Sequence, residues 1–370
     1  MTTSVRSMSR ARRPSEVNTG GKQATQEDIV AQLHSQLYLR SNLSAGEEEQ
    51  IETALRLMDD WSCDMLMAAE VCDVNAIPVI FLKLLICYDL VGILNLDFDL
   101  LFNFCSFAQE RHRAQVPFHG FAHACNMAQS VHYFLQHGLL QQNPNLMPLH
   151  MFTLFFGCMT LYLEYPGLSN DFLIQVKHPR AIRYNDKAVN QSYSLSLTFT
   201  NLADPELNFL LHVPKDMQEA FRKLLIAAIL KTDLSQHFRE VSLFKTKLAA
   251  GMDTLASFED VALLLAMTLK LADYSWCCRP LQQMLRWSEK LHDEFFNQGD
   301  VQREFFPQVS PFCDRDATDT SKVTLGFILV VCQPLAIAYK HVVGNDSAFQ
   351  KHVLQEGLEA NRSYLQSWVS

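Results

Sequence analysis

The segment from Val261 to Ala272 is apolar on every side except at Lys270. A helix without a polar face has no place on a surface and must be surrounded by other apolar elements. From about Glu49 onward the chain supplies those elements with the same period. Between Pro214 and Lys231, the residues Phe221, Leu224, Leu225 and Ala228 fall on one helical face. Pro214 suits a first turn, Asp216 and Glu219 complement the positive end of the dipole, and Lys231 complements the negative end. From Leu281 to Phe296, a stripe of Met284, Trp287, Leu291 and Phe295 predicts another helix, with Gly299 as its stop. Strand signals and internal repeats are absent, and only 13 of 370 residues are glycine, about half the usual share. The expectation is an all-α, single compact multi-helix domain over 49–370. Residues 1–48, rich in Ser, Thr, Gln and Arg, read as a polar, disordered tail.

The net charge of −9 argues against a nucleic-acid partner. The first 13 residues carry Arg6, Arg10, Arg12 and Arg13 and no acid. They have the composition of a transit peptide without its apolar face, and read as a basic tail. No membrane span is expected: Met151 to Leu163 is too short, and Gln333 and Pro334 break the run from Leu325 to Tyr339. Ten cysteines form no C-x-x-C pair and mostly lie in apolar runs such as Ile86-Cys87-Tyr88. They read as buried thiols of a cytoplasmic protein, including the adjacent Cys277 and Cys278.

His119 and His123 are four residues apart and would share a helix face. Two imidazoles at that spacing can ligate a metal, or one can ligate while the other moves a proton. The pair alone is a weak signal, but its neighbourhood is informative. The stretch from Phe118 to His132 resembles the signature Y-H-N-x-x-H-A-x-D-V-x-Q-S-x-H of the class I cyclic-nucleotide phosphodiesterases. The resemblance continues in register. Pro166 to Leu173 resembles P-G-x-S-N-x-F-L, and Tyr184-Asn185-Asp186 resembles Y-N-D. Thr232 to His237 resembles T-D-M-S-x-H, and Ala272 to Ser275 resembles A-D-L-S. Glu294 to Asp300 resembles E-F-F-x-Q-G-D.

The resemblance implies the HD-like helical fold of that family and hydrolysis of 3′,5′-cyclic AMP or GMP by a two-metal reaction. It places the general-acid histidine on His119, a zinc-ligand histidine on His123 and a zinc-ligand aspartate on Asp273. The family's H-D-x-D-H-P-G would supply two more ligands, and these positions hold Leu161 and Tyr162. Leucine has no donor atom, and a phenol is protonated at neutral pH. Residues around the ligands differ as well. Asn126 stands for an aspartate, Gln191 for the glutamate of L-E-N-H-H, and Lys270 for the histidine of H-x-A-D, while Asp233 is kept. In the purine pocket, Thr324 replaces the base-reading glutamine and Trp276 an asparagine. Phe327 and Leu291 keep a hydrophobic clamp.

These replacements lead to the expectation of a pseudophosphodiesterase, a binding or scaffold module in cyclic-nucleotide signalling with no metal at full occupancy. An active, divergent phosphodiesterase using Zn2+ with Mg2+ or Mn2+ is the alternative, with Glu164 the nearest spare carboxylate. A non-hydrolysing cyclic-nucleotide sensor is another. Possible partners are a cyclic nucleotide, a protein, or a second copy in a homodimer. Lys270, one turn before Asp273, either holds an anion or the Asp273 carboxylate in place of the lost metal charge, or reaches solvent.

Overall fold

A computed structural model describes residues 25–251, 253, 255–344 and 348–369. Among them every regular element is helical. The helices that build the site and its surroundings are α1 (Gln26–Arg40), α2 (Phe121–Phe134), α3 (Pro148–Thr160), α4 (Lys215–Leu230), α5 (His237–Ala249), α6 (Phe258–Asp273), α7 (Leu281–Gln302), α8 (Thr320–Phe327) and α9 (Gln333–Val343).

The all-apolar segment becomes α6 and is buried at every position from Val261 to Asp273. Helices α2, α3 and α4 pack against it and against one another. Burial without a polar face therefore made α6 the axis of the domain. Ser257 starts it, accepting a hydrogen bond from the Asp260 backbone N–H. Helix α4 begins after Pro214 and buries Phe221, Leu224, Leu225 and Ala228, as its periodicity predicts. Phe152 and Phe156 of α3 stack on each other and meet Phe209 and Phe221 edge-on or tilted, with Phe104 edge-on to Phe209.

Several sequence expectations are corrected. Helix α1 lies inside the segment read as a polar tail, and its Leu37 is fully buried in the core. A capping box between Thr25 and Asp28 fixes its start. Val30, Leu33 and Leu37 face the core, but Ile29 and Leu39 are exposed on other sides, which blurs the stripe in the sequence. Residues 41–48 are also ordered into the fold, with Ser44 capping a further helix, Ala45–Ala54; residues 1–24, with Arg6, Arg10, Arg12 and Arg13, lie outside the described residues. Cys87 is exposed although its neighbour Ile86 is buried, while the other nine cysteines are buried and all ten are free. The segments Met65–Cys87 and Thr320–Val343 have the length and hydropathy of a membrane span. In this fold Ile77, Ile80 and Phe81 of the first, and Ile328, Leu335 and Tyr339 of the second, are buried in the core.

Gly299 does not stop α7, which continues to Gln302. It serves close approach instead, since a Cβ there would lie 1.8 Å from the Cys313 carbonyl oxygen. Gly299→Ala should therefore destabilise the protein by about 2 kcal/mol or more. Urea unfolding of the variant checks this, and an unchanged midpoint would contradict the packing.

Candidate functional site

Helix α2 starts at Gly120, so His119 precedes its first turn and His123 lies within it. The backbone N–H groups of Phe118 and His119 both donate to Glu294 Oε2, at 3.1 and 3.0 Å. A carboxylate at a helix start satisfies donors that have no helical partner and complements the dipole. The other oxygen of Glu294 accepts from His119 Nδ1 at 2.6 Å. Burial works against the charged imidazole of His119, but the charge and hydrogen bond of Glu294 outweigh it and raise its pKa. Burial likewise opposes the Glu294 carboxylate, yet His119 and the two backbone donors hold its pKa below the ordinary value. His119, where the resemblance places the general acid, is thus held by a hydrogen bond to Glu294. Glu294 was not singled out from sequence, although it opens the E-F-F block, because nothing in that block says which residue it faces.

Asp273 ends α6, where the helix dipole disfavours a negative charge. Two donors compensate. His123 Nε2 donates to Asp273 Oδ1 at 2.8 Å. The Tyr162 hydroxyl lies 3.0 Å from Oδ1 and 2.9 Å from Oδ2. Burial lowers the pKa of His123, with Asp273 opposing, so its ring is neutral and carries its proton on Nε2. Its Nδ1 is buried without a partner. Burial, and then the Asp273 charge, push the Tyr162 phenol upward. The rings of Tyr162 and Tyr165 pack on His119 with centroids 4.2 and 5.0 Å away. Leu161 is buried in the core.

One donor atom each from His119, His123 and Asp273 lies within 4.8 Å of the others, close enough in principle for one ion. The donor chemistry does not fit a two-metal centre. Both oxygens of the carboxylate already face the Tyr162 hydroxyl, and Leu161 offers nothing. The His123 Nε2 that faces the group is engaged by Asp273 Oδ1 at 2.8 Å. Glu164 is not a substitute ligand: it pairs with Arg111 at 3.2 Å and accepts from the Tyr193 hydroxyl at 2.7 Å.

Lys270 follows neither expectation. It is fully buried, and its ammonium donates to the carbonyls of Lys231, Thr232 and Asp233 at 3.1, 3.0 and 3.2 Å. It therefore holds the turn that follows α4, with Asp273 attracting it through charge alone. Asp233 also accepts from Ser235 Oγ at 2.7 Å, and Asn170 Nδ2 bridges Asp233 and Gln191 at 3.3 and 2.9 Å. Asn126 donates to Ser275 Oγ at 3.1 Å. In the nucleotide pocket positions, Trp276 is buried and stacks on Phe327 with centroids 5.8 Å apart. Leu291 is buried, and the Thr324 hydroxyl is bonded to Ser288 Oγ at 2.7 Å.

Residues 118–353 match the family profile described as 3'5'-cyclic nucleotide phosphodiesterase, and the chain belongs to this class I family. It is 26% identical over 336 residues to "3',5'-cyclic-AMP phosphodiesterase 4C" of Rattus norvegicus, covering 89% of this chain and 62% of that protein. It is 28% identical over 326 residues to "Probable 3',5'-cyclic-AMP phosphodiesterase pde-4" of Caenorhabditis elegans, covering 86% and 47%. It is 32% identical over 284 residues to "Dual specificity calcium/calmodulin-dependent 3',5'-cyclic nucleotide phosphodiesterase 1C" of Homo sapiens, covering 76% and 39%. The chain thus spans less than two thirds of the length of each of these relatives.

Burial lowers the Lys270 pKa from the ordinary 10.5 to about 8, against the pull of Asp273, Asp233 and Glu240. Between those values the folded state binds fewer protons than the unfolded one, so stability rises with pH. Near neutral pH both states are protonated and the burial penalty is in force. Raising the pH from about 7 to about 9.5 should release about 2 kcal/mol of it. Wild type should gain that amount relative to Lys270→Met in urea unfolding at the two pH values. An equal response of the two proteins would contradict the buried ammonium.

Proposed function

We propose that this chain is a phosphodiesterase-fold protein whose catalytic centre has become a metal-independent hydrogen-bonded cluster, and that it acts as a binding or scaffold module in cyclic-nucleotide signalling in the cytoplasm. The observation that carries this reading is the Tyr162 hydroxyl set against both oxygens of Asp273. A catalytic zinc needs about three protein ligands and an open position. Of the four ligand positions the family implies, Leu161 and Tyr162 carry no ligand group, and Tyr162 engages one of the two that remain.

The changes in the purine pocket support the same reading. A base-reading position needs a side chain free to present a donor and an acceptor. Thr324 is buried and committed to Ser288. Trp276 covers one face of the Phe327 ring, where a clamped base would stack. The partner is then a protein, which could be a second copy of the chain, rather than a hydrolysed nucleotide.

One observation favours a second reading, a divergent active enzyme: His119 retains a carboxylate partner, Glu294, that raises its pKa and orients its ring. Hydrolysis of cyclic AMP and cyclic GMP with added Zn2+, Mg2+ and Mn2+ separates the two. The pseudoenzyme predicts no turnover above that of His119→Ala with any metal. Turnover that His119→Ala abolishes would establish the enzyme instead.

A further inference from the structure

Helix α9 and the wide turn before it, Ile328–Cys332, continue α8 in a stretch of high hydropathy whose apolar window is only 44% buried. One side of the stretch reaches the core through Ile328, Cys332, Leu335, Ala336 and Tyr339. The other side presents Leu329, Val330 and Ile337 to solvent. Helix α5 packs alongside α9, and the buried ring of its first residue, His237, lies against the Val331 backbone. Immediately next to that contact Phe238 is 64% exposed, and one turn earlier Leu234 is 53% exposed. Exposed apolar side chains scattered singly need no explanation, but a group of them on two packed helices marks a contact surface.

The charges around this surface are basic, in a chain whose net charge is −9. From Gln333 to Val343 the charged residue is Lys340, followed by His341, with no acid. On α5 they are Arg239, Lys245 and Lys247 against Glu240, which is buried beneath Lys231 and Arg239. Lys247 pairs with Asp260, while Lys245 and Lys340 pair with no carboxylate among the described residues. An apolar patch with unpaired cations at its rim suits an interface in which acyl chains lie beside anionic headgroups.

We propose that the surface formed by α5, the Ile328–Cys332 turn and α9 docks on anionic phospholipid membranes. Phe238, Val330 and Ile337 enter the interface, and Lys245 and Lys340 contact the headgroups. The Trp276–Phe327 stack lies just before this turn, so docking would set the family's nucleotide-pocket region beside the membrane. The inference does not depend on whether the chain hydrolyses a nucleotide.

The test is flotation of the full chain with vesicles of phosphatidylcholine containing about one-third phosphatidylserine. The protein should float with these vesicles, remain unbound to phosphatidylcholine alone, and be released at about 0.5 M salt. Phe238→Ser with Val330→Ser, and separately Lys245→Glu with Lys340→Glu, should each weaken binding roughly tenfold or more at an unchanged melting temperature. Because the second pair leaves the apolar residues intact, it also controls for misfolding of the first. Failure to float, equal binding to neutral vesicles, or binding that neither pair weakens would overturn the proposal. So would light scattering that shows a dimer lost in Phe238→Ser with Val330→Ser when vesicles are not bound.

Discussion

A carboxylate at the C-terminal end of a helix buried on every side is the constraint around which the site is organised. Asp273 faces an unfavourable dipole and little water, so its lone pairs must be met by donors. In a two-metal phosphodiesterase the metals would meet them. In this chain the donors are the Tyr162 hydroxyl and the His123 Nε2–H. Under the proposed function, Tyr162 does more than vacate a ligand position, because its hydroxyl meets the carboxylate that a metal would otherwise meet.

Charge around the carboxylate is arranged consistently with that substitution. Glu294 accepts from His119 Nδ1 and raises its pKa, while Lys270, one turn before Asp273, holds the turn after α4 through three carbonyls. Two carboxylates, an imidazole and an ammonium thus tie together α2, α4, α6 and α7. A cluster satisfied in this way rigidifies the junction of four helices. Arg279, a few residues beyond Asp273, gives a further internal cation: it is fully buried over the Trp61 ring and donates to Gln129, Ser130 and the Trp61 carbonyl.

How far the sequence reveals this differs from residue to residue. The central helix is legible because a segment apolar all round has one possible environment. The family relationship is legible because its motifs recur in order, and the lost ligands at Leu161 and Tyr162 follow from counting within them. The partners of each side chain are not legible. Lys270 sits three residues from Asp273, so spacing suggests a pair, yet the carbonyls at the end of α4 are brought beside it by tertiary packing. Glu294 and Tyr165 contribute to the site from positions that periodicity treats as ordinary helix and loop. Helix α1 was hidden for a different reason, since exposed Ile29 and Leu39 blur the stripe of Val30, Leu33 and Leu37 that faces the core.

The central claim is that Tyr162 fills the metal's place at Asp273, and reversal tests it most directly. In the double variant Leu161→His with Tyr162→Asp, the family's two missing ligand types are restored at their own positions. Thermal unfolding with and without Zn2+ and Mg2+, together with metal content after gel filtration, reads the result without relying on turnover. The account predicts that the variant is less stable than wild type without metal, and that it binds metal and regains stability when metal is added. Wild type should show neither response. Near-stoichiometric metal in the wild-type protein, with a matching gain in stability, would contradict it.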